Sequence, residues 1–114
     1  MKYLCLVYGE EQALAATPDR HCLDVDAELR ASGHCVASEA LQPASTATTV
    51  RVRNGKVAVT DGPFAETKEY LAGFYLVEAR DLNEAIQLAA RIPPATVGAI
   101  EVRPIRPIRE SPRG

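Results

Sequence analysis

Asn54-Gly55 is the pair of residues that most restricts what this chain can fold into. Both residue types tolerate positive φ, which a type I′ turn requires at its two central positions, and that turn matches the twist of the strands it joins. Strict alternation flanks the pair, from Thr48 to Arg53 on one side and Lys56 to Thr60 on the other. A two-residue turn sets Val52 opposite Val57 and Val50 opposite Val59, so all four valines share one face. The fold must therefore contain a hairpin with one apolar side to cover.

The remaining elements arrange themselves around it. Residues 2–8 are β-rich and apolar on both faces, as a central strand is. A first helix is expected from Thr17 as N-cap, with Pro18 in the first helical position, Asp19 near the positive end of the dipole and Gly33 as the C′ residue. Its buried stripe is Cys22, Val25 and Leu29, and residues 11–16 form a short helical turn before it. Strands follow at 34–40 and 73–79. Asp81-Leu82-Asn83-Glu84 is a variant capping box that opens a second helix, whose Leu82, Ala85, Ile86, Ala89 and Ala90 recur at helical spacing. Pro93-Pro94 stops it, and residues 98–103 make the last strand.

This order, β-α-β-hairpin-β-α-β, predicts an α+β fold: a ferredoxin-like sheet with two helices on one face and an added hairpin. Half of the first strand's apolar residues then lack a partner within the chain, which points to a second subunit and a homodimer. Residues 1–105 read as one domain. Residues 106–114 read as an extended tail in which arginines alternate with prolines.

Composition excludes several classes. A formal charge of −2 with scattered basic residues gives no field for nucleic acid. Three cysteines, Cys5, Cys22 and Cys35, show no metal-ligand spacing and fall on predicted strands or helices, the pattern of small buried hydrophobes in a reducing cytoplasm. No apolar run approaches membrane-spanning length, and the N-terminus reads as a strand rather than a signal peptide. No P-loop, Rossmann glycine pattern or nucleophile elbow occurs, so nothing calls for a cofactor or a metal.

Nine residues, Asp61-Gly62-Pro63-Phe64-Ala65-Glu66-Thr67-Lys68-Glu69, join two strands where two to five would serve. This run resembles the signature of the DGPF subgroup of the YCII-related family. Met1-Lys2-Tyr3-Leu4, Glu39-Ala40-Leu41-Gln42-Pro43, the strand from Thr48 to Asn54 and Glu101-Val102-Arg103-Pro104 carry the resemblance over roughly residues 1–105. It implies a dimeric α/β barrel, two sheets packed face to face with a cleft at each end.

The candidate site residues each have a plainer alternative. Asp61 reads as a general base or substrate anchor, or as the cap of its own turn. Glu66 and Lys68 read as ligand contacts or as a surface ion pair, Thr67 as a binding hydroxyl or a local cap, and Phe64 as an apolar wall. Asp26 lies on the margin of the first helix's buried stripe. Such a carboxylate either leans out to solvent, or is partly desolvated with a raised pKa suited to proton transfer, or is held by a basic partner. His21 lies on the other margin. The resemblance implies a first-helix histidine with an acidic partner, and that histidine falls nearer Cys22 than His21.

Two functions follow as expectations. The first is a small organic ligand bound in a dimer cleft, with cofactor-free acid–base chemistry of the lyase or isomerase type, Asp61, Asp26 or His21 being the catalytic group. The second is a non-catalytic regulatory or interaction module, since the resemblance also implies a link to sigma-factor-dependent transcription and a related protein partner.

Overall fold

The computed structural model of the chain describes residues 1–108. The Pro/Arg tail expected from residue 106 lies outside the described residues from Arg109 onward. The strands are Lys2–Gly9 (β1), Cys35–Ala40 (β2), Thr48–Arg53 (β3), Lys56–Asp61 (β4), Tyr70–Glu78 (β5) and Ala99–Pro104 (β6). The helices are Glu11–Ala15 (α1), Asp19–Ala31 (α2) and Leu82–Ala90 (α3). Four strands pair antiparallel in the order β2-β5-β1-β6, and β3 pairs with β4 in a separate hairpin. The four-stranded order, with α2 and α3 as its crossovers, is the ferredoxin-like α+β arrangement.

β1 lies in the middle, as its two apolar faces predict. Tyr3, Cys5 and Val7 point toward the helices, and Cys5 is in register with Tyr75 on β5 and Val102 on β6. Leu29 of α2, Ala85, Leu88 and Ala89 of α3, and Ile92 close over them in one core. Leu29 and Cys5 are fully buried. The opposite face of the sheet carries Leu4, Leu6, Phe74 and Leu76, all only partly buried, and no helix among the described residues covers it.

α2 starts one residue later than its sequence suggests. Pro18, extended at ψ 134°, is the N-cap and makes no side-chain capping bond. Thr17 is drawn to the preceding helix instead, its hydroxyl donating to the Ala13 carbonyl at 3.5 Å. With only residues 16–18 between α1 and α2, that hydroxyl serves the end of one helix rather than the start of the next. The C-terminus follows expectation: Gly33 has φ +81°, and the amides of Gly33 and His34 donate to Arg30 and Leu29 carbonyls. This is a Schellman ending, which a Cβ at position 33 would strain.

At α3 the Asp81 carboxylate accepts from the Glu84 amide at 2.9 Å. The return bond is displaced by one residue: the Glu84 carboxylate accepts from the Arg80 amide at 3.0 Å, not from that of Asp81.

The hairpin has the predicted register, Val50 opposite Val59 and Val52 opposite Val57 around Asn54 (φ +52°) and Gly55 (φ +74°). Its valine face is open to solvent, with each valine 57–67% exposed. No described helix is long and apolar enough to cross a membrane.

Candidate functional site

A cavity of about 500 Å³ lies between the helix side of the sheet and the N-terminal part of α2, with α1 along its rim. Small residues make the space. Gly73 on β5 is in register with Val7 and Ala40, so where the helix side of the sheet would otherwise carry a large side chain it carries none. Position 73 also has no room for one, because a Cβ there would stand 2.8 Å from the Glu39 carbonyl oxygen. From α2, Asp19, Cys22 and Asp26 line the cavity, a spacing of three and four residues that puts them on one helix face. Leu14, Leu23 and Leu41 contribute apolar wall, and Tyr75 and Ser38 rise from the sheet.

Asp26 is the focus of its polar end. Its carboxylate accepts from the Ser38 hydroxyl at 2.5 Å and from Arg30 Nε at 2.9 Å, and the Cys35 thiol lies 3.7 Å away. Arg30 Nη2 also donates to Ser38 at 3.1 Å, so the three side chains close a triangle. Burial pushes the Asp26 pKa up, but the Ser38 and Arg30 hydrogen bonds and the Arg30 charge outweigh it and hold the pKa below the usual carboxylate value. Of the three environments expected for Asp26, the structure has the basic partner. Asp26 is therefore a fixed anion at neutral pH and a weak base.

Tyr75 is the second polar group. It is 8% exposed, and burial, followed by the neighbouring Cys22, Asp26 and Cys35, pushes its phenol up to about 12. It remains a hydrogen-bond donor over the whole physiological range. At the rim, partial desolvation and the Glu11 carboxylate raise the Tyr70 phenol as well. Burial, then the Asp19 charge, raises the Cys22 thiol, so Cys22 is a poor nucleophile at neutral pH.

Comparison with known proteins decides the family. Residues 1–109 match the YCII-related domain. The chain belongs to the YCII-related family. It is also 37% identical over 114 residues to an uncharacterised protein of Rhizobium meliloti (strain 1021), a match covering 92% of each chain.

Within this YCII-related chain the residues singled out from sequence do not gather at one place. Asp26 alone lines the large cavity. His21 is exposed on α2 and does not line it. Asp61 ends β4 opposite Thr48, on the valine face of the hairpin. Phe64 is 79% exposed and lies under the Arg51 guanidinium, 5.4 Å from ring centroid to Cζ, on the other face. Lys68 pairs with Glu10 at 3.8 Å rather than with Glu66. Thr67 donates to the Glu69 carbonyl. Glu66 and Thr67, with Pro63 and Ser45, line a shallower hollow of about 230 Å³. Tyr70 borders both that hollow and the large cavity, and so links the nine-residue loop to it.

Ser38, Tyr75 and Arg30 went unnoticed in the sequence. Arg30 had a signal, since it stands four residues after Asp26 on one helix. Tyr75 had a weaker one: a tyrosine near the middle of a strand buries a hydroxyl that needs a polar neighbour. Ser38 had none, because a bulge between Cys35 and Ala37 changes which β2 residues face the helices.

Proposed function

We propose that this YCII-related protein is a cytoplasmic homodimer of the DGPF subgroup whose Asp26 cavity binds a small, largely apolar organic molecule with a cationic or neutral polar end. One observation carries this reading. The cavity lining includes the acidic residues Glu11, Asp19 and Asp26, with Glu39 entering from a strand position that faces away from the helices, and no lysine, arginine or histidine among the described residues. Asp26 is bonded to Arg30, whose charge also interacts with Glu39, whereas Glu11 and Asp19 have no cation bonded to them among the described residues. An anionic ligand would meet uncompensated negative charge, whereas an ammonium group would meet carboxylates and two tyrosine rings. Its volume falls within the roughly 300–1,000 Å³ of small-molecule sites, and its walls are mostly apolar with a few convergent polar groups.

The acid–base form of the reading gives Tyr75 and Asp26 distinct parts. Tyr75 donates a hydrogen bond, Asp26, held ionised, accepts one at the polar end, and Glu11 and Asp19 supply the negative charge that positive charge on the ligand would meet. Abstraction of a proton by Asp26 is disfavoured by its low basicity. Lys68, Phe64, His21 and Asp61 stand outside the cavity of their own chain.

The dimer part of the proposal rests on the uncovered sheet face, where Leu4, Leu6, Phe74 and Leu76 present apolar surface on the side away from the helices. Two such faces packed together form the two-sheet barrel of the resemblance.

A thermal-shift panel of matched arylalkyl amines and arylalkyl carboxylates tests the ligand class. The amines are expected to raise the melting temperature and the carboxylates of the same skeleton to leave it unchanged. Equal or stronger stabilisation by the carboxylates overturns the assignment.

A further inference from the structure

We infer that the valine face of the β3–β4 hairpin packs on a second copy of this chain, as an arm that completes the subunit interface. Among the described residues the hairpin is a sheet of two strands with no third strand beside it. Such a unit is marginal in water unless something packs on it. Its alternation is nevertheless that of a half-buried strand pair: Val50, Val52, Val57 and Val59 on one face, Arg51 and Ala58 paired on the other. The valines stay 57–67% exposed because nothing among the described residues covers them. Four cross-strand valines are an apolar face built for burial.

The overall shape agrees. The chain measures 46 × 45 × 19 Å with a radius of gyration of 16.5 Å. A compact chain of this length has a radius of about 13 Å. Its 19 Å thickness against 46 and 45 Å is that of a sheet with helices on one face only.

Area points to a second copy as the occupant. Four strands about 4.8 Å apart, paired over six residues at about 3.3 Å each, give the open sheet face a footprint of roughly 400 Å². Stable interfaces bury at least about 600 Å² per partner. The two-stranded arm adds roughly 200 Å² by the same spacings, which brings the total to that threshold. A twofold axis lets each copy's arm reach the other, so one contact covers both sheet faces and both valine faces. Asp61 shares the valine face, so the same docking carries its carboxylate onto the partner.

This inference rests on the homodimer proposed above, and the test separates the two. Sedimentation equilibrium is run on the wild type, on Val52→Lys/Val57→Lys, on the milder Val52→Thr/Val57→Thr, which keeps strand propensity, and on Leu6→Lys in the open sheet face. Circular dichroism monitors folding of each. The expected result is a wild-type dimer whose dissociation constant rises at least about tenfold in both valine variants and in Leu6→Lys, with unchanged spectra. Valine variants that dimerise like the wild type while Leu6→Lys dissociates overturn the arm and leave the dimer standing. A monomeric wild type overturns both.

Discussion

The Ser38 hydroxyl lies 2.5 Å from the Asp26 carboxylate, joining β2 to α2 across twelve residues of chain. Arg30 bonds both partners, so a helix, a strand and the polar end of the cavity share one small network. Each hydrogen bond in it involves a charged group, and such bonds contribute more than neutral ones.

The network makes folding acid-sensitive. The folded-state pKa of Asp26 lies below its ordinary value. Its contribution is therefore fully present above the unfolded-state pKa near 4 and is lost as pH falls through the folded value. Asp26→Asn is expected to cost about 1–2 kcal/mol at neutral pH, since Arg30 loses its charge partner while Ser38 keeps an acceptor. Urea unfolding at pH 7 and below pH 4 checks this: the gap between wild type and variant should shrink at the acid end. A gap independent of pH would place the carboxylate's charge outside the stability of the fold.

Cysteine labelling reads the cavity directly. Cys22 lines it and is half-buried, whereas Cys5 is fully buried with a thiol pushed up to about 11 by burial, then by Cys35. A thiol reagent at about pH 8 should modify Cys22 first and slowly, and Cys5 only on unfolding. A bound arylalkyl amine should protect Cys22. Labelling of Cys5 ahead of Cys22 in the folded protein would contradict the packing described.

Gly73 holds open the space that the site needs. Gly73→Ala forces a Cβ to within 2.8 Å of the Glu39 carbonyl oxygen and 3.3 Å of the Ala40 Cα, so β2 must move away from β5. A loss of about 1–3 kcal/mol is expected, the range of overpacked positions, with broadened amide signals along β2. A neutral substitution would mean that β2 yields freely at this point.

What was legible in the sequence was local. Asn54-Gly55 and the valine alternation specify a turn, a register and a face within a dozen residues, and the structure has all three. The Asp81 cap and the Gly33 ending are equally short-range and equally visible. The cavity was not, because it depends on residues far apart in sequence. In plain period-two alternation Cys35 and Ser38 would face opposite sides of β2. The bulge puts Cys35 opposite Val77 and Ser38 opposite Tyr75, both on the helix side, and thereby delivers Ser38 to Asp26. Asp61-Gly62-Pro63-Phe64 stood out as chemistry in a loop, but where a loop lands is decided by the elements it connects. Here it lies beside the hairpin, touching the large cavity only through Tyr70.

The most direct measurement is calorimetric titration of an arylalkyl amine that the thermal-shift panel selects, against the wild type and Asp26→Asn. The account predicts saturable binding to the wild type, weakened at least about tenfold by removing the one anchored carboxylate. Equal affinity in the two proteins would contradict a site centred on Asp26.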